Sequence, residues 1–270
     1  MKTTPRAKSP NDQPRVSAAA MTGFAACCRR YVRRNFHALR ILKSGLPPRD
    51  SARPIVIYLN HASWWDPLVC LLLAREFFPD RKSFAPIDAA MLERYGFFRH
   101  LGFFGIEPQS QSGARTFLRT THALLASSLN AVWLTPQGRF VDVRKRPLLL
   151  EEGLGALAAR EPGAVFIPLA IEYSFWTEPR PEILVSFGEP IVPGVDPTRP
   201  GPDWTRTFSD ALESVQDELA LRSTRRDFNQ WVTLNRGKSG VNAIYDGWRW
   251  LRAQAHGEKF QPEHCEEVIS

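Results

Sequence analysis

The chain has 270 residues, 43% hydrophobic and 23% charged, an ordinary globular composition with enough apolar mass for one large core. Its four cysteines, Cys27, Cys28, Cys70 and Cys265, have neither zinc spacing nor the density of a secreted disulfide scaffold, so no metal site is expected. The net charge of +7 is concentrated at one end: residues 1–53 hold twelve Lys or Arg against two acidic residues, and the remainder carries −3. No recognition motif accompanies this charge, which argues against a nucleic-acid partner.

In chain order, residues 1–15 are rich in Pro, Lys and Arg, lack an apolar signal core, and read as a disordered tail. Residues 16–53 read as one basic amphipathic helix. Phe24, Cys28, Tyr31, Val32, Phe36, Leu39 and Leu42 recur at helical spacing, with Arg29, Arg30, Arg33, Arg34 and Arg40 interleaved. Such a helix can lie in a bilayer interface, arginines toward anionic head groups, or pack its apolar stripe on the core; both readings are open. No apolar run approaches the roughly 18 residues of a spanning helix. Where the helix does meet a bilayer, the protein is expected to lie on the membrane as a peripheral protein, its bulk on the cytoplasmic face.

Residues 54–202 alternate two periods. Strand-like runs at 55–59, 103–106, 131–135, 164–172 and 182–187 are separated by helical stretches near 64–78, 88–100, 112–129 and 147–160. This alternation predicts an α/β fold, a mixed open sheet flanked by helices, with the amphipathic helix before it and a helical C-terminal extension of the same domain over 203–270. Trp204, Phe208, Leu212, Val215 and Leu219 mark one helix of that extension, and Val241 to Ala255 another. Gly153-Leu-Gly155-Ala-Leu-Ala158 matches a dinucleotide fingerprint, but the run before it, Leu148-Leu-Leu-Glu-Glu152, is short and ends polar, and the expected acidic residue is not convincingly placed. It reads as a helix start with close packing, and no cofactor is expected.

The chemistry gathers at Asn60-His-Ala-Ser-Trp-Trp-Asp-Pro67, directly after the strand-like run Pro54–Leu59. Imidazole is the one side chain whose ordinary pKa makes it a general base near neutral pH, and a base needs a fixed tautomer. Asp66 can supply that by accepting one ring N–H of His61, leaving the other nitrogen to take a proton. Ser63 is placed to cap a helix starting at Trp64, with Asp66 in its first turn. No Gly-x-Ser-x-Gly elbow occurs in the chain, so the attacking hydroxyl is expected to come from a second substrate.

His61-Ala-Ser-Trp-Trp-Asp66 resembles the His-x4-Asp motif of the glycerolipid (lysophospholipid) acyltransferase superfamily, which includes the 1-acylglycerol-3-phosphate acyltransferases. Leu101-Gly-Phe-Phe-Gly-Ile106, Leu134-Thr-Pro-Gln-Gly-Arg-Phe140 and Val165-Phe-Ile-Pro-Leu-Ala170 resemble the next three family blocks, in order, and Val185-Ser-Phe-Gly-Glu-Pro190 is similar to the strand and turn that follow. The resemblance implies transfer of a fatty acyl group from a coenzyme A or acyl-carrier-protein thioester, as co-substrate, to the hydroxyl of a lysophospholipid or related polar lipid. His61 would be the base and Asp66 its orienter. Pro136, Gln137, Gly138 and Arg139 would lie near the acceptor, Pro168 would shape the acyl side, Gly105 or Gly138 would allow close backbone approach, and Arg115 would be a candidate cation.

Two departures qualify the acceptor. Gln137 stands where the family has glutamate, with Arg139 one residue early, and the second block continues Glu107-Pro-Gln-Ser-Gln-Ser-Gly113 without its usual arginine. A glutamine cannot replace a carboxylate as partner of a cation, and an arginine fork is the natural phosphate ligand. A non-phosphate acceptor such as a glycolipid, a terpenoid glycoside or an amino-acid lipid is therefore the first alternative. A non-catalytic lipid-binding protein on the same scaffold is the second.

Overall fold

The computed structural model describes residues 14–48, 52–196 and 198–237; the expected helix at Val241 to Ala255, and Cys265, lie outside them. Its elements are α1 (Ala18–Asn35), β1 (Ala38–Leu42), β2 (Ile55–Leu59), α2 (Asp66–Phe77), β3 (Lys82–Asp88), α3 (Ala89–Arg94), β4 (Phe103–Ile106), α4 (Gln111–Leu125), β5 (Asn130–Leu134), α5 (Gly153–Arg160), β6 (Val165–Ser174), β7 (Glu182–Phe187), α6 (Gly201–Arg225) and β8 (Trp231–Arg236). The eight strands form one mixed sheet in the order β4-β3-β5-β2-β6-β7-β1-β8. The five from β4 to β6 are parallel, β7 runs against β6, β1 runs parallel to β7, and β8 runs against β1.

β2 shows why the sheet has helices on both faces. Its run Ile-Val-Ile-Tyr-Leu carries no polar alternation, and all five residues are buried. A strand of this kind needs apolar cover above and below. Ile55, Ile57 and Leu59 meet Val69 and Leu73 of α2 and Cys28 and Val32 of α1 in one cluster. Val56 and Tyr58 point the other way, into a cluster with Leu124 of α4, Leu157 of α5 and Phe208 of α6. Phe208 is the keystone of the second layer, its ring 5.1 Å from Tyr58 and 4.9 Å from Phe166.

The glycines of the dinucleotide look-alike serve packing between helices. A Cβ on Gly155 would fall 2.1 Å from the Gly201 carbonyl oxygen and 2.2 Å from Thr205 Oγ1, so only glycine lets α5 approach α6.

Three strands escape the local pattern, and each has a physical reason. The helix read over 16–53 stops at Asn35, and Leu39, Arg40 and Leu42 belong to β1, paired with β7 and β8. Arg40 disguises this strand, because an arginine in an apolar run suggests a solvated face. Here its Nε donates to Glu182 Oε2 at 3.1 Å and its Nη1 to Thr233 Oγ1 at 2.7 Å, and Arg40, Glu182 and His37 are all buried. The second Glu182 oxygen lies 2.5 Å from His37 Nδ1. Partners 142 residues apart leave no trace in a local window. β3 carries Pro86 in an otherwise mixed run, and only Phe84 in it is buried. β8 falls in the segment read as helical and exists because β1 offers it an edge. The stretch expected as a helix over 88–100 divides at Tyr95 into α3 and a 3-10 turn.

The apolar stripe of α1 is divided: Met21, Ala25, Cys28 and Val32 are buried, Phe24 is half-buried and Tyr31 is exposed. Burial pushes the Cys28 thiol up to about 12, so it stays protonated and unreactive near neutral pH. Replacing Glu182 by Ala leaves Arg40 buried without its carboxylate and is expected to cost about 3–5 kcal/mol of stability. Urea denaturation of Glu182→Ala against the wild type measures this; a loss below about 1 kcal/mol would show that Arg40 finds water instead.

Candidate active site

The chain leaves β2 at Leu59 on the carboxyl edge of the parallel strands, where crevices form in open α/β sheets. Asn60 ties this exit to β6 by a two-bond clamp: its Nδ2 donates to the Ile171 carbonyl at 2.9 Å, and its Oδ1 accepts from the Ile171 N–H at 2.8 Å. The His61 main chain is then held on both sides by the loop after β5. Its N–H donates to Gln137 Oε1 at 2.8 Å, and its carbonyl accepts from the Val141 N–H at 2.8 Å. Both backbone groups of the histidine are satisfied before its side chain is considered.

His61 Nδ1 lies 2.7 Å from Asp66 Oδ2, with the imidazole 17% exposed and the carboxylate 1%. The same oxygen accepts from the Ser63 N–H at 3.0 Å, and Oδ1 accepts from the Tyr173 hydroxyl at 2.6 Å. A carboxylate so surrounded by donors accepts from Nδ1–H, which assigns the neutral tautomer with Nε2 bare. Burial, with the negative charge of Asp66 beside it, pushes the Tyr173 phenol well up, so it remains a proton donor to Asp66. The cap differs in register from the expected one: α2 starts at Asp66, and Ser63 Oγ accepts from the Trp65 N–H at 3.3 Å. Asp66 therefore completes the cap, sits at the positive end of α2 and holds the base at once.

The phenyl ring of Phe140 lies 4.3 Å from the His61 ring and is itself 58% exposed, forming one wall of the approach to Nε2. The third block is a turn that lets this happen. Gly138 has φ +65°, a left-handed conformation natural to glycine, its N–H donates to the Thr135 carbonyl, and the Pro136 carbonyl accepts from the Glu151 N–H at 2.8 Å. Gln137 is buried and is spent on the His61 backbone, while Arg139 is exposed and has no ion pair or hydrogen bond among the described residues.

The structure thus gathers His61, Asp66 and the turn Pro136–Arg139, and leaves three expected site residues apart. Gly105 lies on the edge strand β4, where its missing side chain admits Ala89, whose Cα would be 3.1 Å from a Cβ there. Arg115 is on the exposed face of α4, without a hydrogen bond or ion pair to the histidine. Pro168 is buried within β6 opposite Tyr58, its ring under Gly188. Asn60 and Tyr173 are the functional residues that sequence reasoning passed over. Tyr173 had one signal, a phenol near the end of a long apolar strand, but its partner is 107 residues away.

Beside the dyad opens a cleft of about 770 Å³, bordered by Ala62 and Tyr173, the 142–146 loop and α6. No cluster of side chains able to hold a metal ion is present among the described residues.

A histidine base oriented by a buried carboxylate at the carboxyl edge of an α/β sheet, with a cleft opening at the next residue, Ala62, has the parts of an enzyme that activates a hydroxyl for group transfer. The sequence profile of the Acyltransferase family matches residues 33–172, just over half of the chain, and the chain belongs to that family. A comparison with curated proteins finds no match.

Asp66→Asn keeps the shape but reverses the hydrogen-bond logic at Nδ1, and is expected to lower kcat for acyl transfer by about 10³–10⁴-fold. Tyr173→Phe removes one donor and is expected to cost about tenfold. Steady-state rates beside thermal melts check both; a melting temperature lowered in step with the rate would assign these residues to folding instead.

Proposed function

We propose that this acyltransferase moves a fatty acyl group from an acyl-CoA or acyl-carrier-protein thioester to the hydroxyl of a lysophospholipid or related polar lipid, at the cytoplasmic face of a membrane. The observation that carries the reading is the complete His61–Asp66 dyad with its supports: Tyr173 and Ser63 donate to the Asp66 carboxylate, and Gln137 accepts from the His61 backbone N–H. A protein that only binds lipid has no use for a histidine held at both backbone groups and at Nδ1.

In this mechanism Nε2 of His61 takes the proton of the acceptor hydroxyl as its oxygen attacks the thioester carbonyl. The imidazolium is stabilised by Asp66, and collapse of the tetrahedral intermediate breaks the carbon–sulfur bond. The departing thiolate recovers the proton from His61, so the enzyme is unchanged and the products are an ester and a thiol. A thiolate is a good leaving group, so no covalent enzyme intermediate is required, and alignment carries most of the rate. Arg139, exposed on the turn that holds the His61 backbone, suits a phosphate of the donor or of the acceptor.

Membrane docking has a specific surface. The buried stripe of α1 leaves Arg29, Arg30 and Arg34 exposed on the same helix as Tyr31, which lies 6.3 Å from the ring of Trp64. Trp64 is 54% exposed, stacks on Trp65 at 4.5 Å and sits three residues from His61. Interfacial tryptophan and tyrosine beside arginines is the composition that anionic head groups favour. No helix among the described residues is long and apolar enough to cross a membrane.

Purified protein incubated with long-chain acyl-CoA and a total polar lipid extract is expected to yield a lipid heavier by one acyl group, detected by mass spectrometry and absent with His61→Ala. Failure with both acyl-CoA and acyl-carrier protein, or a free fatty acid as sole product, would overturn the transfer reading. Replacing Arg29, Arg30 and Arg34 by Ala is expected to weaken binding to phosphatidylglycerol vesicles by about 1 kcal/mol per residue, with the wild-type affinity falling as salt rises. Equal co-sedimentation of both proteins would place the docking surface elsewhere.

A further inference from the structure

The cleft beside His61 offers hydrogen-bond acceptors and withholds its cations. Two arginines line it, and each is occupied. Arg144 is gripped by both carboxylate oxygens of Asp142, at 2.9 and 2.7 Å from Nε and Nη2, and this holds the Asp142 carboxyl well below the usual range. Arg146 pairs with Asp217 and also donates to the carbonyls of Val143 and Lys145, at 2.8 and 3.0 Å. Each cation thus already faces a carboxylate, Arg144 at the exposed rim and Arg146 deeper in.

The wall facing them is of the opposite kind. Glu172, on β6 next to Tyr173, is half-buried, and its one partner is the Ser223 hydroxyl, which donates to Oε1 at 3.0 Å. Among the described residues no cation is paired with it, and burial raises its carboxyl above the ordinary value. Gln216 on α6, also in the lining, is 5% exposed, and its Oε1 has no partner. A half-buried carboxylate without a cation is costly unless a ligand brings one, and an ammonium brings three donors and no acceptor.

We propose that this cleft takes the headgroup of the acceptor and that Glu172 receives a primary ammonium on it, so that the substrate is a single-chain lipid with an amine in its headgroup. The inference rests on the acyl-transfer reading and selects within it. Ala62, which follows His61, borders the same cleft, so a headgroup seated on Glu172 lies beside the residue that must meet its hydroxyl. Arg139, outside the cleft lining, then remains for the phosphates of the donor.

The test compares three acceptors of equal chain length: an N-(3-hydroxyacyl)-lysine methyl ester with a free side-chain amine, the same compound acetylated on that amine, and lysophosphatidate. The wild type is expected to favour the amine over its acetylated form at least tenfold in kcat/KM. Glu172→Gln is expected to lose about 10- to 100-fold on the amine and nothing on the acetylated form. The substitution also removes a buried charge whose cost is present at neutral pH and vanishes as acid protonates the carboxyl, so its melting temperature at pH 7.5 should be unchanged or higher. Equal rates on the amine and acetylated compounds, or preference for lysophosphatidate untouched by Glu172→Gln, would overturn the proposal while leaving acyl transfer intact. Equilibrium binding of the same compounds, followed by tryptophan fluorescence below their micelle concentrations, decides the cleft even if none is turned over. Tighter binding of the free amine that is lost in Glu172→Gln supports it, and equal binding of all three refutes it.

Discussion

One carboxylate holds the working end of this protein together. Asp66 opens α2, accepts from the Ser63 N–H in the turn before it, from the His61 ring at the exit of β2, and from the Tyr173 hydroxyl on β6. Three segments that pack for independent reasons are thereby fixed to one point. Its 1% exposure means that none of these donors competes with water, and each charge-assisted bond is worth more than it would be at the surface. The base is consequently positioned by the fold and needs no rearrangement to accept a proton.

Around that point the protein separates stiff parts from available ones. Asn60, Gln137 and the Val141 N–H consume the polar backbone groups next to the histidine. What stays uncommitted is Nε2, the guanidinium of Arg139, the ring of Phe140 and the carboxylate of Glu172. The conversion of the expected glutamate into Gln137 is intelligible here, because the position needs an acceptor for the His61 N–H and a neutral amide oxygen suffices.

The residues of the dyad were legible because their partners are five positions apart, within reach of a motif and its cap. The central strands were legible as well, since β2, β5, β6 and β7 are continuous apolar runs buried on both faces. What the sequence hid is long-range: β1 concealed by Arg40, whose neutralising carboxylate is on β7, and β8, which pairs with β1. Tyr173 was hidden for the same reason. Gly105 and Pro168, which the resemblance put near the substrate, also have packing neighbours, Ala89 and Gly188, and local pattern cannot separate a glycine needed by a helix from one needed by a ligand.

The placement of β1 has a consequence for how the chain is made. It precedes the other strands among the described residues, yet it pairs with β7 and β8, residues 182–187 and 231–236, and not with β2, its neighbour in sequence. On the ribosome its edges therefore stay open, with Arg40 lacking its carboxylate, while the parallel strands β2 to β6 can already assemble behind it. Sheet closure waits for nearly the whole of the described chain, a high-contact-order step that is intrinsically slow. During that wait an apolar strand stands exposed beside a cluster of arginines, whose mutual repulsion discourages two nascent chains from pairing there.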